Sequence, residues 1–385
     1  MAQIVSSNEM TKDLAGSINT AFFLTYGSGQ LINGILGDIL SPFVMVGSGV
    51  LISGIMNLLM YAAVSTHAGL TAYLVVWAVN GFVQSMVWSP LLRIISTIMP
   101  EEQRSRACAN LQMSTAVGTL GTSLLATILL KYLPWKDMFL FPGITLVITG
   151  VSWFLLTRKI VRETQYTVVR EKSQHENYKA SSPQMAFFPM IIASGVLLML
   201  LPAGVSAMVK DGVTSWGPTI ITEMFSVSPS TAVLLSAIVP LGNIVGAYMV
   251  HFVLRYLIPN ELTAAAAFFA GSTVFMLLFF MLGRTNLVLM LLCIAGASLC
   301  MMAIGNLFVS FVPMRFGKYG KASTVTGILN AVCNLFCSLS SLVIGFVTVR
   351  TGNWNLMILI WIGLCVIGLV SSVMIIRRWK RFIKL

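Results

Sequence analysis

Two adjacent ionisable residues, Lys210 and Asp211, stand in a long uncharged stretch that continues after them to Ile221. A charged side chain at the centre of a membrane helix costs about 2.5–3.5 kcal/mol on insertion scales, so it usually has a partner or marks a pathway. Lys210 could therefore offer a positive charge to an anion in a central cavity. A Lys–Asp pair in an interfacial loop would account for the same residues, and hydropathy alone does not separate these alternatives. Pro202 and Pro218 allow a bent or broken helix here.

Polar uncharged side chains recur at helical spacing on several apolar runs. Hydrogen bonds between helices explain most such pairs, but a solvated cavity would also collect them. Because the pairs lie on different runs, the whole set favours a cavity more strongly than any single pair does. The pairs are Gln30 with Asn33, Gln112 with Thr115, Asn80 with Gln84 (whose face Trp88 continues), and Asn330 with Asn334.

Familiar catalytic and metal-binding patterns are absent from the sequence. It contains no Walker A loop, HExxH or GxSxG motif. The six cysteines fall inside apolar runs, as small packing residues do, and the three histidines are far apart. We therefore expect no enzyme activity, no metal site and no cofactor.

The elements that position these side chains are predicted to be membrane helices. Hydrophobic residues make up 57% of the chain and charged residues 9%, whereas a soluble domain carries about 25% charge. The composition thus excludes soluble globular and disordered proteins and predicts an all-α membrane protein. A spanning helix needs about 20 apolar residues, and eleven runs qualify: 14–37, 43–64, 70–92, 107–130, 138–157, 187–209, 230–254, 262–283, 287–313, 323–348 and 354–376.

The basic residues predict the orientation. With the C-terminus in the cytoplasm, 18 of the 24 Lys and Arg fall on the cytoplasmic side, a strong positive-inside bias. Most of the net charge of +12 then comes from basic residues that set the orientation in the membrane, and no nucleic-acid partner is expected. The polar segment 158–184 separates five spans from six, which predicts an N-terminal bundle (1–157), a cytoplasmic central loop and a C-terminal bundle (185–385).

Eleven spans with a cytoplasmic C-terminus place Met1 outside, yet no export signal precedes the first span. We expect that the first span of a twelve-span layout is missing, and that Met1 is an internal methionine or a misassigned start.

Three motifs resemble a known family. They are TYGSGQLINGILGD over 25–38, NGFVQSMVWSPLLR over 80–93 and KDGVTSWGPT over 210–219. They resemble, in turn, the second span with its Gly…Asp loop motif, the fourth span and the Arg-x-Gly-x-x-x-Trp-x-Pro-Thr seventh-span signature of the major facilitator superfamily. Within it, the chain resembles the organophosphate:phosphate antiporters. The resemblance implies two pseudo-symmetric helical bundles that move a small organic anion.

The resemblance also implies site residues. The family's seventh-span arginine falls on Lys210, its second-span lysine on Gln30 and its fifth-span histidine on Thr115, while its first-span arginine has no counterpart. Lysine keeps the charge but loses the planar fork that suits phosphate. The substrate is thus a phosphate ester or a smaller, less charged organic anion. The expected substrate contacts are Lys210, Tyr26, Gln30, Gln84, Trp88, Gln112, Thr115, Asn330 and Asn334, and the expected cytoplasmic gate contains Asp38 and Arg93.

Three functions remain open on the sequence. The first is a secondary transporter in the cytoplasmic membrane, driven by an exchanged anion or an ion gradient and working by alternating access. The second is a ligand sensor with a transporter fold, which signals to a partner through segment 158–184. The third is a truncated, inactive copy. The expected partners are the anionic substrate and the lipid bilayer, and the protein is expected to be a monomer.

Overall fold

The computed structural model describes residues 12–129, 132–163, 187–283, 285–351 and 354–384. The prediction about Met1 lies outside these residues, and so does most of segment 158–184. All regular elements in the described part are helices. The chain therefore has the predicted all-α architecture in every part that is described.

The helices follow the apolar runs of the sequence closely. In chain order they are α1 (Lys12–Ile39), α2 (Pro42–Ser65), α3 (Leu70–Ile98), α4 (Glu101–Leu129), α5 (Asp137–Glu163), α6 (Phe187–Ser194), α7 (Val196–Phe225), α8 (Pro229–Ser236), α9 (Ile238–Phe252), α10 (Glu261–Leu282), α11 (Leu287–Asn306), α12 (Val312–Met314), α13 (Ala322–Thr351) and α14 (Asn355–Ile383).

Nine stretches of the described residues are long and apolar enough to cross a membrane. The helices α1 and α4, 28 and 29 residues long, coincide with the predicted first and fourth spans but are more polar. Their polar residues include several of the candidate site residues. The count of eleven spans and the division into five and six stay predictions.

The sixth predicted span, 187–209, differs from the structure. The helix breaks at Gly195, which has a left-handed backbone (φ 78°), and α7 then runs unbroken from Val196 to Phe225. The predicted end at residue 209 is therefore wrong, because charge at the next two residues does not end the helix. Pro202 and Pro218 both lie inside α7, as prolines do in membrane helices whose freed backbone groups find other partners.

Asparagine side chains cap the N-termini of two helices. Asn260 Oδ1 accepts a hydrogen bond from the Thr263 amide at 3.0 Å, ahead of α10. Asn286 Oδ1 accepts from the Val288 amide at 2.8 Å, ahead of α11. Each oxygen satisfies an amide that has no partner within its own helix.

Two helices end in π turns. After α9 the chain forms a π segment over Val253–Leu257, and after α11 it forms another over Leu307–Phe311. A π turn holds an extra residue inside a helix and is often found at functional sites. Both segments are close in sequence to predicted cytoplasmic loops.

The chain divides into two compact units. The first contains Met1–Met99, Gly121–Gln184 and Phe316–Ala331, and the second contains Pro100–Leu120, Met185–Arg315 and Val332–Leu385. In the first unit α3 packs on α1 and α2, and α2 packs on α5. In the second, α10 packs on α11 and α14, and α7 packs on both α11 and α14. The bundles predicted over 1–157 and 185–385 stay a prediction.

Candidate functional site

Lys210 lies at the middle of the thirty-residue helix α7. Its side chain is half-buried, and its backbone carbonyl accepts a hydrogen bond from the Thr214 hydroxyl at 2.8 Å. The neighbouring Asp211 carboxylate interacts electrostatically with Lys210 and accepts from the Ser215 hydroxyl at 3.4 Å. The pair therefore belongs to a long apolar helix, not to an interfacial loop.

Helix α13 packs on α7 beside Lys210. The thiols of Cys333 and Cys337 donate to the carbonyls of Ala203 and Ala207 at 3.5 and 3.6 Å. The Lys210 charge acts on both thiols. The two cysteines are thus packing residues, as their positions in apolar runs predict, and they also form part of the surroundings of the lysine.

Tyr26 and Gln30 form a second polar group, in the first unit, to which Trp88 also belongs by sequence. Gln30 is fully buried, its Oε1 accepts from the Ser89 hydroxyl at 3.5 Å, and Tyr26 lies beside it. The Gln30 Nε2 and Trp88 Nε1 groups are buried donors that find no acceptor among the described residues. A buried donor without an acceptor costs about 1–3 kcal/mol. Such donors can bind an oxygen that enters the protein.

Gln84, another expected substrate contact, belongs to a polar network between α2 and α3. Its Nε2 donates to Ser53 Oγ at 3.2 Å and to Asn80 Oδ1 at 3.4 Å, and Ser53 donates to Asn80 at 2.8 Å. Asn57 continues the network by donating to the Ser53 carbonyl at 2.8 Å. These hydrogen bonds hold two helices together. For Asn80 and Gln84 the structure therefore shows hydrogen bonding between helices, the alternative to a solvated cavity.

The remaining expected contacts lie on α4 and α13. Gln112 is buried and donates to Ser310 in the second π segment at 3.1 Å. Thr115 is exposed, and its hydroxyl donates to the Gln112 carbonyl at 2.7 Å. Asn330 and Asn334 are half-buried on α13, one turn apart, and both have interactions within the structure.

Asp38, an expected gate residue, caps the start of α13. Its Oδ1 accepts from the Ser323 amide at 2.9 Å, and its Oδ2 accepts from the Thr324 amide at 2.8 Å. The Thr324 hydroxyl also donates to Oδ2. A carboxylate here satisfies amides that have no partner inside the helix and complements the positive end of the helix dipole.

Arg93, the other expected gate residue, caps the C-terminal end of α1. Its Nη1 donates to the carbonyls of Gly37 and Leu40 at 2.6 and 3.0 Å, where α1 ends. Its charge also acts on Asp38. The structure thus brings the two predicted gate residues together around the end of α1.

Helices α1 and α13 cross closely beside this cap. A Cβ atom built on Gly327 would lie 2.4 Å from the Gln30 carbonyl oxygen and 2.8 Å from the Gly34 Cα. Neither contact can be accommodated without moving a helix. The absence of side chains at Gly34 and Gly327 is therefore what lets the two backbones meet.

Several partners in these groups were not identified from the sequence. Ser323 and Thr324 are 285 and 286 residues away from Asp38, and spacing along the chain carries no signal at that distance. The pair Ser53 and Asn57 shows the same i, i+4 spacing as Asn80 and Gln84. That spacing is the one signal that could have identified the network between α2 and α3.

Comparisons with known proteins agree with the helical fold and with the family that the motifs resemble. The family model of the Major Facilitator Superfamily matches residues 1–341. A glycerol-3-phosphate transporter of Bacillus subtilis (strain 168) is 22% identical over 391 residues, covering 96% of this chain and 86% of that protein. The membrane sensor protein UhpC of Salmonella typhimurium (strain LT2) is 21% identical over 254 residues, covering 64% of this chain and 56% of that protein.

A solved structure shows the same fold. The crystal structure of the transporter FucP in the outward conformation matches with a TM-score of 0.71 and 14% sequence identity, covering 95% of this chain and 91% of that chain. At this identity the likeness concerns the fold alone.

Proposed function

Because the chain belongs to the Major Facilitator Superfamily, we propose that it is a secondary transporter which moves a small organic anion across the cytoplasmic membrane by alternating access. The single observation that carries the proposal is the position of Lys210 in the middle of α7. A charged side chain in the middle of an apolar helix is costly unless it has a partner or a use. Asp211 is a partner on the same helix, and an anionic substrate is the use that fits an ammonium group at this place.

The chemistry of Lys210 bears on the kind of anion. An ammonium group is a compact point charge with three donors, whereas the arginine fork pairs with two oxygens of a phosphate at once. Lysine therefore serves a carboxylate and a phosphate ester about equally. Similarity to a glycerol-3-phosphate transporter supports the phosphate ester, and the loss of the fork supports the smaller organic anion.

Asp211 is the natural competitor of the substrate for Lys210. It carries the opposite charge on the next residue and interacts with the lysine electrostatically. In the proposed transporter this carboxylate neutralises Lys210 while no substrate is bound. Replacing Asp211 by Asn should then tighten anion binding and slow release, so that KM and kcat both fall.

Replacement of Lys210 tests the proposal directly. Reconstituted protein is assayed for uptake of radiolabelled glycerol-3-phosphate, glucose-6-phosphate, inorganic phosphate and small carboxylates. Loss of one charged hydrogen bond costs about 1.5–3 kcal/mol, so Lys210→Gln should lower kcat/KM about 10- to 100-fold for the transported anion. Lys210→Arg should retain uptake and favour phosphate esters.

The matched control is Lys380→Gln, which removes one exposed positive charge near the end of α14. It should leave uptake unchanged. Unchanged uptake of the transported anion by Lys210→Gln would refute the role of this residue.

The cap formed by Asp38 and Arg93 is proposed as a gate. Its contacts join the end of α1 to the start of α13 through hydrogen bonds that have well-defined donors and acceptors. Such contacts can break and re-form as units, which a two-state transporter requires. We place this gate on the cytoplasmic side, following the positive-inside distribution of the basic residues.

A ligand sensor is the second candidate, and the similarity to a membrane sensor protein favours it. A sensor binds its ligand without carrying it across. If phosphate esters shift the melting temperature of the purified protein while proteoliposomes show no uptake or exchange, the sensor is supported. Uptake above that of empty liposomes supports the transporter instead.

A further inference from the structure

A cavity of about 650 Å³ lies within the second unit, away from Lys210. Four arginines from three separate elements line it: Arg104 and Arg106 at the start of α4, Arg255 in the first π segment and Arg315 after α12. His251, Gln103 and Ser105 add polar groups to the same wall. The predicted substrate residues do not include any of these side chains.

The charge of this cavity, which we call the arginine cavity, is positive. Two carboxylates line it, those of Glu102 and Glu261. Glu261 is 3% exposed, and its two oxygens accept from Arg315 Nε at 2.7 Å and from Trp379 Nε1 at 2.9 Å. This carboxylate is therefore already bonded within the protein, and the lining, with four arginines and two carboxylates, has an excess of positive charge.

The arginine cavity has structured walls. The Ser105 hydroxyl and His251 Nδ1 are joined by a 2.6 Å hydrogen bond, which fixes the start of α4 against α9. Both π segments border the cavity, one through Leu254 and Arg255 and the other through Phe311. Arg106, Arg255 and His251 all line this cavity, and both guanidinium charges act on the His251 ring.

The arginine cavity lies beside the helix end that carries the basic C-terminus. Glu261, at the start of α10, is bonded to Trp379 near the end of α14. The cavity and the C-terminal helix end are therefore on the same side of the bilayer. This is the side that the distribution of Lys and Arg assigns to the cytoplasm.

We propose that the arginine cavity is a second anion site, which binds a phosphate group. Guanidinium groups pair with two phosphate oxygens at once, and several of them converging on one cavity can surround a phosphate on more than one side. Basic cavities between membrane helices on the cytoplasmic side bind lipid head groups. The phosphate belongs either to an anionic phospholipid or to a soluble ion or ester, and the two share the same contacts.

A bound phosphate would connect separate helices. Arg106 lies on α4, whereas Arg255 lies in the π segment that follows α9. One anion between them adds to the links that already join these helices, which include Tyr248 Oη donating to Asn110 Oδ1 at 2.8 Å. Occupancy of the site therefore holds α4 against α9 and slows any motion that separates them.

The lipid arm of the test uses native mass spectrometry of the full-length protein. Wild-type protein is released from nanodiscs of phosphatidylglycerol and phosphatidylcholine, and the phosphatidylglycerol retained is compared with that of Arg106→Gln/Arg255→Gln. We expect at least a tenfold loss of retained phosphatidylglycerol. The control Lys380→Gln/Lys384→Gln removes two charges from the same membrane end without touching the cavity, and it should retain lipid as the wild type does.

The soluble arm uses inorganic phosphate and glycerol-3-phosphate with protein in phosphatidylcholine nanodiscs. Calorimetric binding that survives Lys210→Gln and is weakened at least tenfold by Arg106→Gln/Arg255→Gln identifies a soluble ligand. Because Lys210 is altered, this binding is separate from the proposed transport site. A positive result in either arm supports the proposal and names the source of the phosphate.

A measurement on the wild type covers the case in which the double variant does not fold. Backbone amides over 102–108 should exchange hydrogen more slowly when phosphatidylglycerol or phosphate is present. The proposal is overturned if neither ligand slows exchange there. It is also overturned if the control variant loses as much lipid as the cavity variant does and the soluble arm shows no binding that Arg106→Gln/Arg255→Gln weakens.

Discussion

Replacing Asp38 by Asn tests the cap that joins α1 to α13. The carboxylate accepts three hydrogen bonds, from two amides and the Thr324 hydroxyl. Asparagine lacks the charge and offers one acceptor oxygen in place of two. A hydrogen bond to a charged group is worth about 1.5–3 kcal/mol, and a charge at a helix start adds about 0.3–1 kcal/mol. With one bond lost and the others weakened, the contact should lose about 2–4 kcal/mol.

Hydrogen exchange measures that loss directly. Since about 1.4 kcal/mol corresponds to a factor of ten, the amides of Ser323 and Thr324 should exchange about 30- to several-hundred-fold faster in Asp38→Asn than in the wild type. Their protection reports how often the cap is open. Uptake should change in the same variant if the cap is a gate.

The matched control for this experiment is Asp137→Asn, which removes a carboxylate from the first turn of α5 in the same unit. It should leave exchange over 322–327 unchanged. Wild-type exchange rates at Ser323 and Thr324 in Asp38→Asn would refute the reasoning, because the measured hydrogen bonds would then contribute nothing to the contact.

Two further substitutions test other contacts. Glu261→Gln leaves one acceptor oxygen for two donors, the buried Trp379 N–H and the Arg315 guanidinium, which is 40% exposed. Solvent compensates the exposed guanidinium in part, so the protein should lose about 2 kcal/mol of stability. Thermal unfolding in detergent should show a lower melting temperature, and an unchanged one would contradict this account. Gly327→Ala forces apart the helices that cross there, which costs about 1–3 kcal/mol for overpacking, and it should speed hydrogen exchange over 322–327. The control is Gly27→Ala, whose Cβ meets nothing within 4 Å. Equal exchange rates in the two variants would contradict the account of this helix crossing.

The helical fold was predictable because membrane helices need long apolar runs, and the chain has them. The error at the sixth predicted span has a clear origin. Hydropathy treats Lys210 and Asp211 as a boundary, but the backbone bonds of α7 continue through them to Phe225. The actual break is at Gly195, where the left-handed backbone suits a residue without a side chain.

The candidate site was predictable only in part, since the sequence shows which polar residues share a helix face but not what they face. Gln84 and Gln112 have the same spacing signals as Gln30, yet both donate to neighbouring helices. Gln30 keeps a buried donor without an acceptor among the described residues. The difference depends on contacts between helices that are distant in sequence.

The π segment over Leu307–Phe311 has a consequence for register. Each residue of an α-helix turns the chain by about 100°, so one inserted residue redirects everything that follows it on the same helix. Ser310, inside the segment, accepts a hydrogen bond from Gln112 on α4, and Arg315, after the segment, donates one to Glu261 on α10. An uninterrupted α-helix would aim these two side chains differently. The extra residue therefore sets which neighbours this end of the helix can bind, and a deletion there would change partners that lie in two other helices, α4 and α10.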